Sequence, residues 1–359
     1  MSTATTIRRL TVETLDIPLL TPFGISGGAQ EVAQNLLVTL ELADGTRGYG
    51  EAAPFPAFNG ETQAGARTAI LQALPHVEGA DVREWRRIAN SLREATGHVG
   101  SARCAIETAI LDALTRQAAM PLWAFFGGVS THLQTDMTVT TGSVEAAATA
   151  TLDILQRGIR IIKVKIGSGD PQLDLERIVA IYRIAPNSPL ILDGNCGYSA
   201  EAALALLSAL AAQGIRPALL EQPVKRDDWD GFAVISQHGN VLVATDESVA
   251  STSDALRVAQ DRLAQVINIK LMKCGIAEAL DIAAIARSAG IGLMIGGMVE
   301  SILAMTTSAC FAAGQGGFQF VDLDTPMFLA SNPFNGGFTQ QGDTLDLSGI
   351  HAGHGVTPK

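Results

Sequence analysis

The stretch Ile161-Ile162-Lys163-Val164-Lys165-Ile166-Gly167 places two lysines inside an otherwise apolar run. A short apolar run that ends at glycine is typical of a buried strand. Residues two apart on a strand point to the same side, so Lys163 and Lys165 share one face. A buried face tolerates two ammonium groups only where opposite charges offset them. The stretch therefore predicts a barrel or sheet strand with a charged, functional face.

Further charges follow this stretch at nearly even intervals. Counted from Lys165, three acids end apolar runs after 28, 28 and 25 residues, and a third lysine comes 24 residues later. These residues are Asp193, Glu221, Asp246 and Lys270. An interval of this size fits one strand plus one helix. Each charge thus recurs at the same point of a repeated strand–helix unit.

The region around these charges alternates apolar strand-like runs with helical ones. Such alternation predicts a parallel sheet covered by helices. Eight units in under 200 residues favour a closed barrel over an open sheet, so the predicted fold class is an α/β TIM-like barrel. The predicted strands lie near 136–140, 160–166, 189–193, 217–221, 241–245, 265–270, 291–295 and 318–322.

The chain is predicted to have three parts. Residues 1–130 form an α+β unit, with a strand at 36–42, a turn at Asp44-Gly45 and helices near 61–74, 82–95 and 101–119. Residues 131–324 form the catalytic barrel. Residues 325–359 form a tail of loops and turns that returns to the first unit.

Composition excludes several classes of function. A net charge of -11 disfavours nucleic acid as a partner. The start lacks the apolar core of a signal peptide, and no apolar run has the length of a membrane span. The four cysteines lack metal-ligand spacing and indicate reduced thiols in a cytoplasmic protein. A homo-oligomer is left open.

The three acids end neighbouring strands, at the barrel rim where such folds carry their active sites. Taken one at a time, Asp193 could be a turn former and Glu221 or Asp246 a helix cap. Taken together, adjacent carboxylates without a nearby histidine or cysteine favour a hard cation. Mg²⁺ is the first choice and Mn²⁺ the substitute.

The lysines lie on strands two and six of the eight, which oppose each other across the barrel. A divalent ion would hold a substrate carboxylate and stabilise an enediolate formed beside it. Lys165 and Lys270 could each reach one face of the same carbon, one as base and the other as acid. This arrangement predicts 1,1-proton transfer, the reaction of a racemase or epimerase.

Two further acids, Asp322 and Asp324, end strand eight, across the mouth from the metal ligands. They could be only a strand-to-loop turn. Their place instead favours a receptor for a cationic group. The substrate would then carry a carboxylate at one end and an ammonium at the other, as a dipeptide does.

Together these motifs resemble the enolase superfamily, in the muconate lactonizing subgroup. The Asp322-Leu323-Asp324 motif is similar to that of the dipeptide epimerases. The resemblance implies a (β/α)7β barrel with an α+β capping domain built from the N-terminal region and the tail. It rests on Lys163-Val164-Lys165, Asp193-Gly194-Asn195, Leu220-Glu221-Gln222-Pro223, Asp246-Glu247-Ser248 and Asn268-Ile269-Lys270-Leu271-Met272-Lys273.

The resemblance also implies a role for each residue. Lys163 would help to hold the substrate carboxylate, while Lys165 and Lys270 would be the opposing acid/base pair. Mg²⁺ would bind Asp193, Glu221 and Asp246. The dipeptide ammonium would bind Asp322 and Asp324, and the backbone of Gly297-Met298-Val299 would contact the peptide carbonyl.

One position departs from the pattern of relatives that act on Ala-Glu, which carry a cationic residue after a Pro-Phe pair. Here Gly24 follows Pro22-Phe23. The departure predicts a neutral or apolar second residue in the dipeptide. The apolar, glycine-rich segments 22–30 and 54–60 are interpreted as lid loops, or else as ordinary surface loops.

Other functions stay open at this point. The same site could serve an N-acyl amino acid racemase, a cycloisomerase, or a dehydratase acting on hydroxy acids or amino acids, because one base and one acid suffice for each. A non-catalytic binding protein on a barrel scaffold is the third class. The complete set of lysines and acids argues against it.

Overall fold

The structure is a computed structural model that describes residues 3–25 and 28–359. The N-terminal region begins with an antiparallel sheet in the order β1-β2-β3, formed by β1 (Ile7–Ile25), β2 (Gly28–Leu42) and β3 (Arg47–Ala52). The predicted strand at 36–42 lies within β2. Gly45 has a φ of 89° in the predicted turn, a conformation that glycine adopts readily.

Five helices follow this sheet along the chain. They are α1 (Pro56–Asn59), α2 (Gln63–Val77), α3 (Trp85–Ala95), α4 (Gly100–Gln117) and α5 (Leu122–Phe125), with a 3₁₀ turn at Val82–Glu84. Helix α4 is almost wholly buried and packs directly on β3. A Cβ atom at Gly50 would lie 1.9 Å from the Ala105 carbonyl oxygen, so this close approach requires glycine.

Eight parallel strands follow, each beside the next along the chain. The Asp136 N–H donates to the Val321 carbonyl over 2.9 Å and so links the first strand to the last. The predicted barrel and all its strands are confirmed. The strands are β5 (Met137–Val139), β6 (Ile162–Lys165), β7 (Leu190–Asp193), β8 (Leu219–Glu221), β9 (Val243–Thr245), β10 (Val266–Ile269), β11 (Gly292–Ile295) and β12 (Phe318–Val321).

The helices between these strands begin at side chains that cap them. Ser143, Ser199 and Ser251 each accept a hydrogen bond from a backbone N–H of the first turn, which ends the preceding loop at a fixed place. The helices are α6 (Val144–Gln156), α7 (Pro171–Ile184), α8 (Ala200–Ala212), α9 (Trp229–His238), α10 (Thr252–Asp261), α11 (Leu271–Cys274), α12 (Ile276–Ser288) and α13 (Ile302–Gln315).

The tail differs from the predicted loops and turns, because it contains four short strands. They are β13 (Phe334–Gly336), β14 (Thr339–Gln341), β15 (Thr344–Asp346) and β16 (Val356–Pro358). Strand β15 pairs with β4 (His132–Gln134), just before the barrel. The His354 N–H donates to Asp112 on α4 over 3.0 Å, so the tail contacts the N-terminal region.

The predicted domain bounds at 130 and 324 stay predictions. Among the described residues, no helix combines the length and apolar character that crossing a membrane requires.

Candidate active site

The inner face of the barrel changes from apolar to charged over two residues. A buried apolar cluster formed by Ile191, Leu219, Ala244, Val266 and Met294, with Ile161 and Phe320 packed against it, fills the lower interior. Because side chains two apart share a face, the next inward residues lie one layer higher. On six strands these are Lys163, Asp193, Glu221, Asp246, Asn268 and Asp322. The alternation of each strand therefore builds a charged layer above an apolar one.

Lys163 lies at the centre of this layer and is fully buried. Its Nζ is 3.0 Å from Asp193, 2.7 Å from Glu221 and 2.7 Å from Asp322. Burial opposes protonation, but these carboxylates raise the pKa of Lys163 well above its ordinary value. Lys163 is thus a permanent cation that holds acids from three strands together.

Lys165 and Lys270 both line one pocket beneath the N-terminal region. Lys165 donates to Asp193 over 2.6 Å, and Lys270 lies 2.8 Å from Asp246. The Lys270 Nζ also lies 4.6 Å from the centre of the Phe58 ring. Burial opposes protonation of Lys270, but Asp246 raises its pKa above the ordinary value. Both lysines thus face one space from opposite strands.

The predicted metal ligands are buried and ionised to different degrees. Burial disfavours the charge of Asp193, yet Lys163 and Lys165 lower its pKa to about 2. Burial and the nearby Asp193 charge raise the pKa of Glu221 to about 7. Burial also opposes ionisation of Asp246, but Lys270 and Lys273 lower its pKa. Each acid depends on a neighbouring cation for its charge.

These three acids have the chemistry of a magnesium site. They offer only carboxylate oxygens, which Mg²⁺ prefers, from adjacent strand ends. The Lys163 ammonium, between Asp193 and Glu221, shows that a positive charge is accommodated there. The donor set therefore fits a divalent cation.

Several charged neighbours were not singled out from the sequence. Lys273 donates to Asp246 over 2.9 Å and to the Asn268 carbonyl over 2.8 Å. Asn195 donates to Glu247 over 3.1 Å. Burial and the Asp246 charge raise the pKa of Glu247 to about 8. Lys273 and Glu247 belong to the motifs quoted above, but they do not fall at the regular spacing of the strand ends, so the spacing does not predict them as site residues.

Asp322 and Asp324 line the same pocket as the lysines. The Thr138 N–H donates to Asp324 over 2.7 Å, while burial and the Asp322 charge raise the pKa of Asp324 to about 7. A third acid, Asp136, which the sequence did not suggest, lies beside them. Within the described chain, these three form the group of acids whose ligand oxygens all lie within 4.8 Å of one another.

The segment Gly297-Met298-Val299 is held from two sides. The Met298 N–H donates to Glu300 over 2.7 Å, and the Val299 carbonyl accepts from Asn35 of β2 over 2.9 Å. Glu51 of β3 accepts from the Ser301 N–H over 3.0 Å. Gly297 and Met298 line the pocket, so the N-terminal sheet fixes the position of this wall.

The predicted lid segments are more ordered than loops. Residues 23–25 and 28–30 continue β1 and β2, with Phe23 opposite Gln30, and 56–59 form α1. Ser26 and Gly27 lie outside the described residues. The pocket wall from these segments is apolar, formed by Phe23, Ile25, Phe55 and Phe58. The segments supply this wall mostly as regular structure, and their role as a lid stays a prediction.

A barrel with opposed lysines above an acid-rich rim, closed by an α+β unit, has the architecture of an acid–base enzyme. Two family models match the chain. Residues 8–127 match the mandelate racemase/muconate lactonizing enzyme N-terminal domain, and residues 144–359 match the enolase C-terminal domain-like family. The chain belongs to the mandelate racemase/muconate lactonizing enzyme family, within the enolase superfamily.

Similar proteins include named epimerases. An aromatic dipeptide epimerase of Herpetosiphon aurantiacus is 55% identical over 98% of this chain and 99% of its own. A mandelate racemase/muconate lactonizing enzyme structure from Roseiflexus sp. is 64% identical, with a TM-score of 0.95 over 100% of this chain and 99% of its own. A dipeptide epimerase structure from Enterococcus faecalis, complexed with Mg and L-Leu-L-Tyr, is 32% identical, with a TM-score of 0.94 over 98% and 99%.

Proposed function

We propose that this protein is a Mg²⁺-dependent dipeptide epimerase that inverts the α-carbon of the second residue. The observation that carries the proposal is one pocket lined by Lys165, Lys270, Asp322 and Asp324 together. Two bases and a receptor for a cation are what inversion within a zwitterionic dipeptide needs. The named activities of the relatives support the same conclusion.

Mg²⁺ is assigned to Asp193, Glu221 and Asp246. When bound, it would neutralise these acids and stabilise the negative charge that develops on the substrate carboxylate during proton removal. Lys163 adds a fixed positive charge beneath the same point, because its Nζ contacts two of these ligands. It acts from a fully buried position, so its effect on the substrate carboxylate is electrostatic.

Lys165 and Lys270 are assigned the proton transfers. A neutral lysine amine on one face of the α-carbon takes the proton, and the opposing ammonium returns one to the other face. Each lysine contacts a different acid, Asp193 for Lys165 and Asp246 for Lys270. Those contacts hold the two Nζ atoms on separate walls of the pocket, as a two-base inversion requires.

The second residue of the substrate is assigned an apolar side chain, aromatic by preference. Phe23, Ile25, Phe55 and Phe58 supply apolar surface around the lysines, and Met298 adds a flexible one. Gly24 carries no charge that could pair with an acidic side chain. The name of the aromatic dipeptide epimerase supports this assignment, since that protein is 55% identical.

Proton NMR in D₂O with Mg²⁺ tests the proposal. A library of L-Ala-X dipeptides should lose the α-proton signal of X, fastest for Phe, Tyr and Leu and slowest for Glu and Lys. Loss of the signal for no dipeptide, together with turnover of an N-acyl amino acid or a hydroxy acid, would assign another reaction to this site. Preference for Ala-Glu would retain the epimerase and remove the apolar assignment.

A further inference from the structure

Asp136 breaks the rule that the lower interior of the barrel is apolar. Met137 pairs with Ile162, so Asp136 lies beside Ile161, which packs against the apolar cluster. The backbone N–H of Asp136 is bonded to Val321, directly before Asp322. A carboxyl group at this level gains nothing from apolar packing and costs free energy to bury. We therefore expect the Asp136 carboxyl group to interact with polar or charged groups nearby.

The Asp136 carboxyl group is buried without a hydrogen-bond partner among the described residues. Its residue is 0% exposed, and within residues 3–25 and 28–359 neither of its oxygens has a hydrogen-bond partner. The Asp324 Oδ1 atom is also buried and lacks a hydrogen-bond partner within the described residues. By contrast, Asp322 contacts Lys163 over 2.7 Å, and the Asp324 Oδ2 atom accepts from Thr138 over 2.7 Å. Three buried carboxylate oxygens of Asp136 and Asp324 thus lack a hydrogen-bond donor among the described residues.

Among the described residues, the three acids of this cluster outnumber the cations that contact them. Burial, followed by the charges of Asp322 and Asp324, raises the pKa of Asp136 well above its ordinary value. Lys163 is the cation that contacts the cluster among the described residues, and it is shared with Asp193 and Glu221. A further cation at the mouth of the cluster would relieve the repulsion among the three acids.

We propose that Asp136 is a positioning residue of the ammonium receptor, a buried third acid that strengthens the hold of Asp322 and Asp324 on the N-terminal ammonium of the dipeptide. This inference rests on the proposed function. Asp322 and Asp324 line the pocket, and Asp136 lies behind them within 4.8 Å. At that range, in a water-poor interior, a bound ammonium would favour ionisation of Asp136, and the charge of Asp136 would then add to theirs.

An ammonium matches the free oxygens of the cluster. One oxygen of Asp322 is bonded to Lys163 and one of Asp324 to Thr138, so the other oxygens of these acids and those of Asp136 are the acceptors that remain. An ammonium needs only three acceptors for its three N–H groups.

Binding calorimetry of Asp136→Asn tests the inference, using L-Ala-L-Phe and propionyl-L-Phe in the presence of Mg²⁺. Propionyl-L-Phe is the same molecule without the ammonium. The change should weaken dipeptide binding about tenfold or more, as for loss of a charged interaction, and leave the affinity for propionyl-L-Phe unchanged. KM for the dipeptide should rise in parallel while kcat changes less than about twofold.

Two comparisons separate this effect from general destabilisation. Asp112→Asn removes another fully buried aspartate, on α4 away from the pocket, and should leave both affinities as in the wild type. If Asp136→Asn does not fold, Asp136→Ser provides a smaller polar replacement for the same titrations.

Three results would overturn the inference. One is unchanged dipeptide affinity in folded Asp136→Asn. Another is an equal loss of affinity for both compounds. The third is two divalent ions per wild-type chain and one in the variant, which would make the cluster a metal site. Failure of the proposed function would appear separately, as the absence of α-proton exchange with any dipeptide in the wild type.

Discussion

At the residue scale, inversion of a carbon depends on where two Nζ atoms are held. Lys165 and Lys270 line one pocket, and each contacts an acid that has a second cation nearby. Asp193 also contacts Lys163, and Asp246 also contacts Lys273. Removal of either of these two lysines therefore leaves neither acid without a partner. Variants at these positions should fold, so their kinetics report on chemistry.

Lys165→Ala and Lys270→Ala should each lower the rate of epimerisation by at least about 100-fold, as expected for loss of a general acid or base. Each variant should still exchange the α-proton of one enantiomer, and the two should prefer opposite enantiomers. NMR in D₂O with L-Ala-L-Phe and L-Ala-D-Phe measures this. Lys225→Ala, at an exposed loop position, is the matched control. Wild-type epimerisation in either variant would refute the two-base scheme.

The sequence predicts most site residues, because each one ends an apolar strand at the same rim. The alternation rule then places Lys163, Asp193, Glu221 and Asp246 in one layer. Asp136 begins the predicted strand 136–140, at the end away from the rim, so the pattern gives it no role in the site. Its contact with Asp322 depends on closure between the first and last strands, separated by more than 180 residues of chain.

At the scale of elements, the pocket wall depends on how tightly the N-terminal sheet and helix α4 pack. Glu51 of β3 binds the backbone of Ser301, and Asn35 of β2 binds the Val299 carbonyl. Strand β3 can carry Glu51 to that point only because Gly48 and Gly50 allow α4 to approach closely. A Cβ at Gly48 would lie 2.1 Å from the Ala109 carbonyl oxygen.

Gly50→Ala should therefore destabilise the protein by about 3 kcal/mol or more, the upper range for overpacking. The contact is with backbone, which cannot rotate away as a side chain could. Urea unfolding measures the change. Gly349→Ala is the control, because a Cβ there meets nothing within 4 Å, and it should change the unfolding free energy by less than about 0.5 kcal/mol. Equal effects would show that α4 shifts readily.

Sequence periodicity predicts three N-terminal helices and the barrel strands to within a few residues, because these elements bury apolar side chains at regular spacing. The tail strands are missed for a physical reason. Strand β15 has three residues, and it pairs with β4 about 210 residues earlier in the chain. A local sequence pattern cannot predict a pairing between segments so far apart. The apolar, glycine-rich composition of segment 22–30 predicts a loop, yet residues 23–25 pair with 28–30 and extend the two strands.

At the scale of the whole molecule, an acid of the N-terminal region supports a barrel helix. Glu107 of α4 is buried, and it accepts from the Ala277 N–H at the start of α12 over 2.8 Å. Burial raises the pKa of Glu107 from its ordinary value of 4.5 to about 7. The folded protein therefore retains this proton at pH values where the unfolded chain has lost it.

This pKa difference predicts a pH dependence of stability. The contribution of Glu107 should be complete below about pH 4.5 and decline as the pH rises to about 7, by roughly 3 kcal/mol in total. Glu107→Gln keeps the shape and cannot ionise, so it should lack this component. Urea unfolding at pH 5, 6, 7 and 8 compares the two proteins. A difference in unfolding free energy that is constant over this range would show that Glu107 is ionised when folded.

The most direct test of the two-lysine mechanism measures how deuterium from the solvent enters the product during the first turnovers. Wild-type protein with Mg²⁺ and L-Ala-L-Phe in D₂O is sampled early, and the two diastereomers are separated before NMR. We predict that L-Ala-D-Phe forms and carries deuterium at the Phe α-carbon from its first appearance, because the returning proton comes from the opposing lysine, which exchanges with D₂O. L-Ala-D-Phe that retains the original proton, or no inversion of any dipeptide, would contradict it.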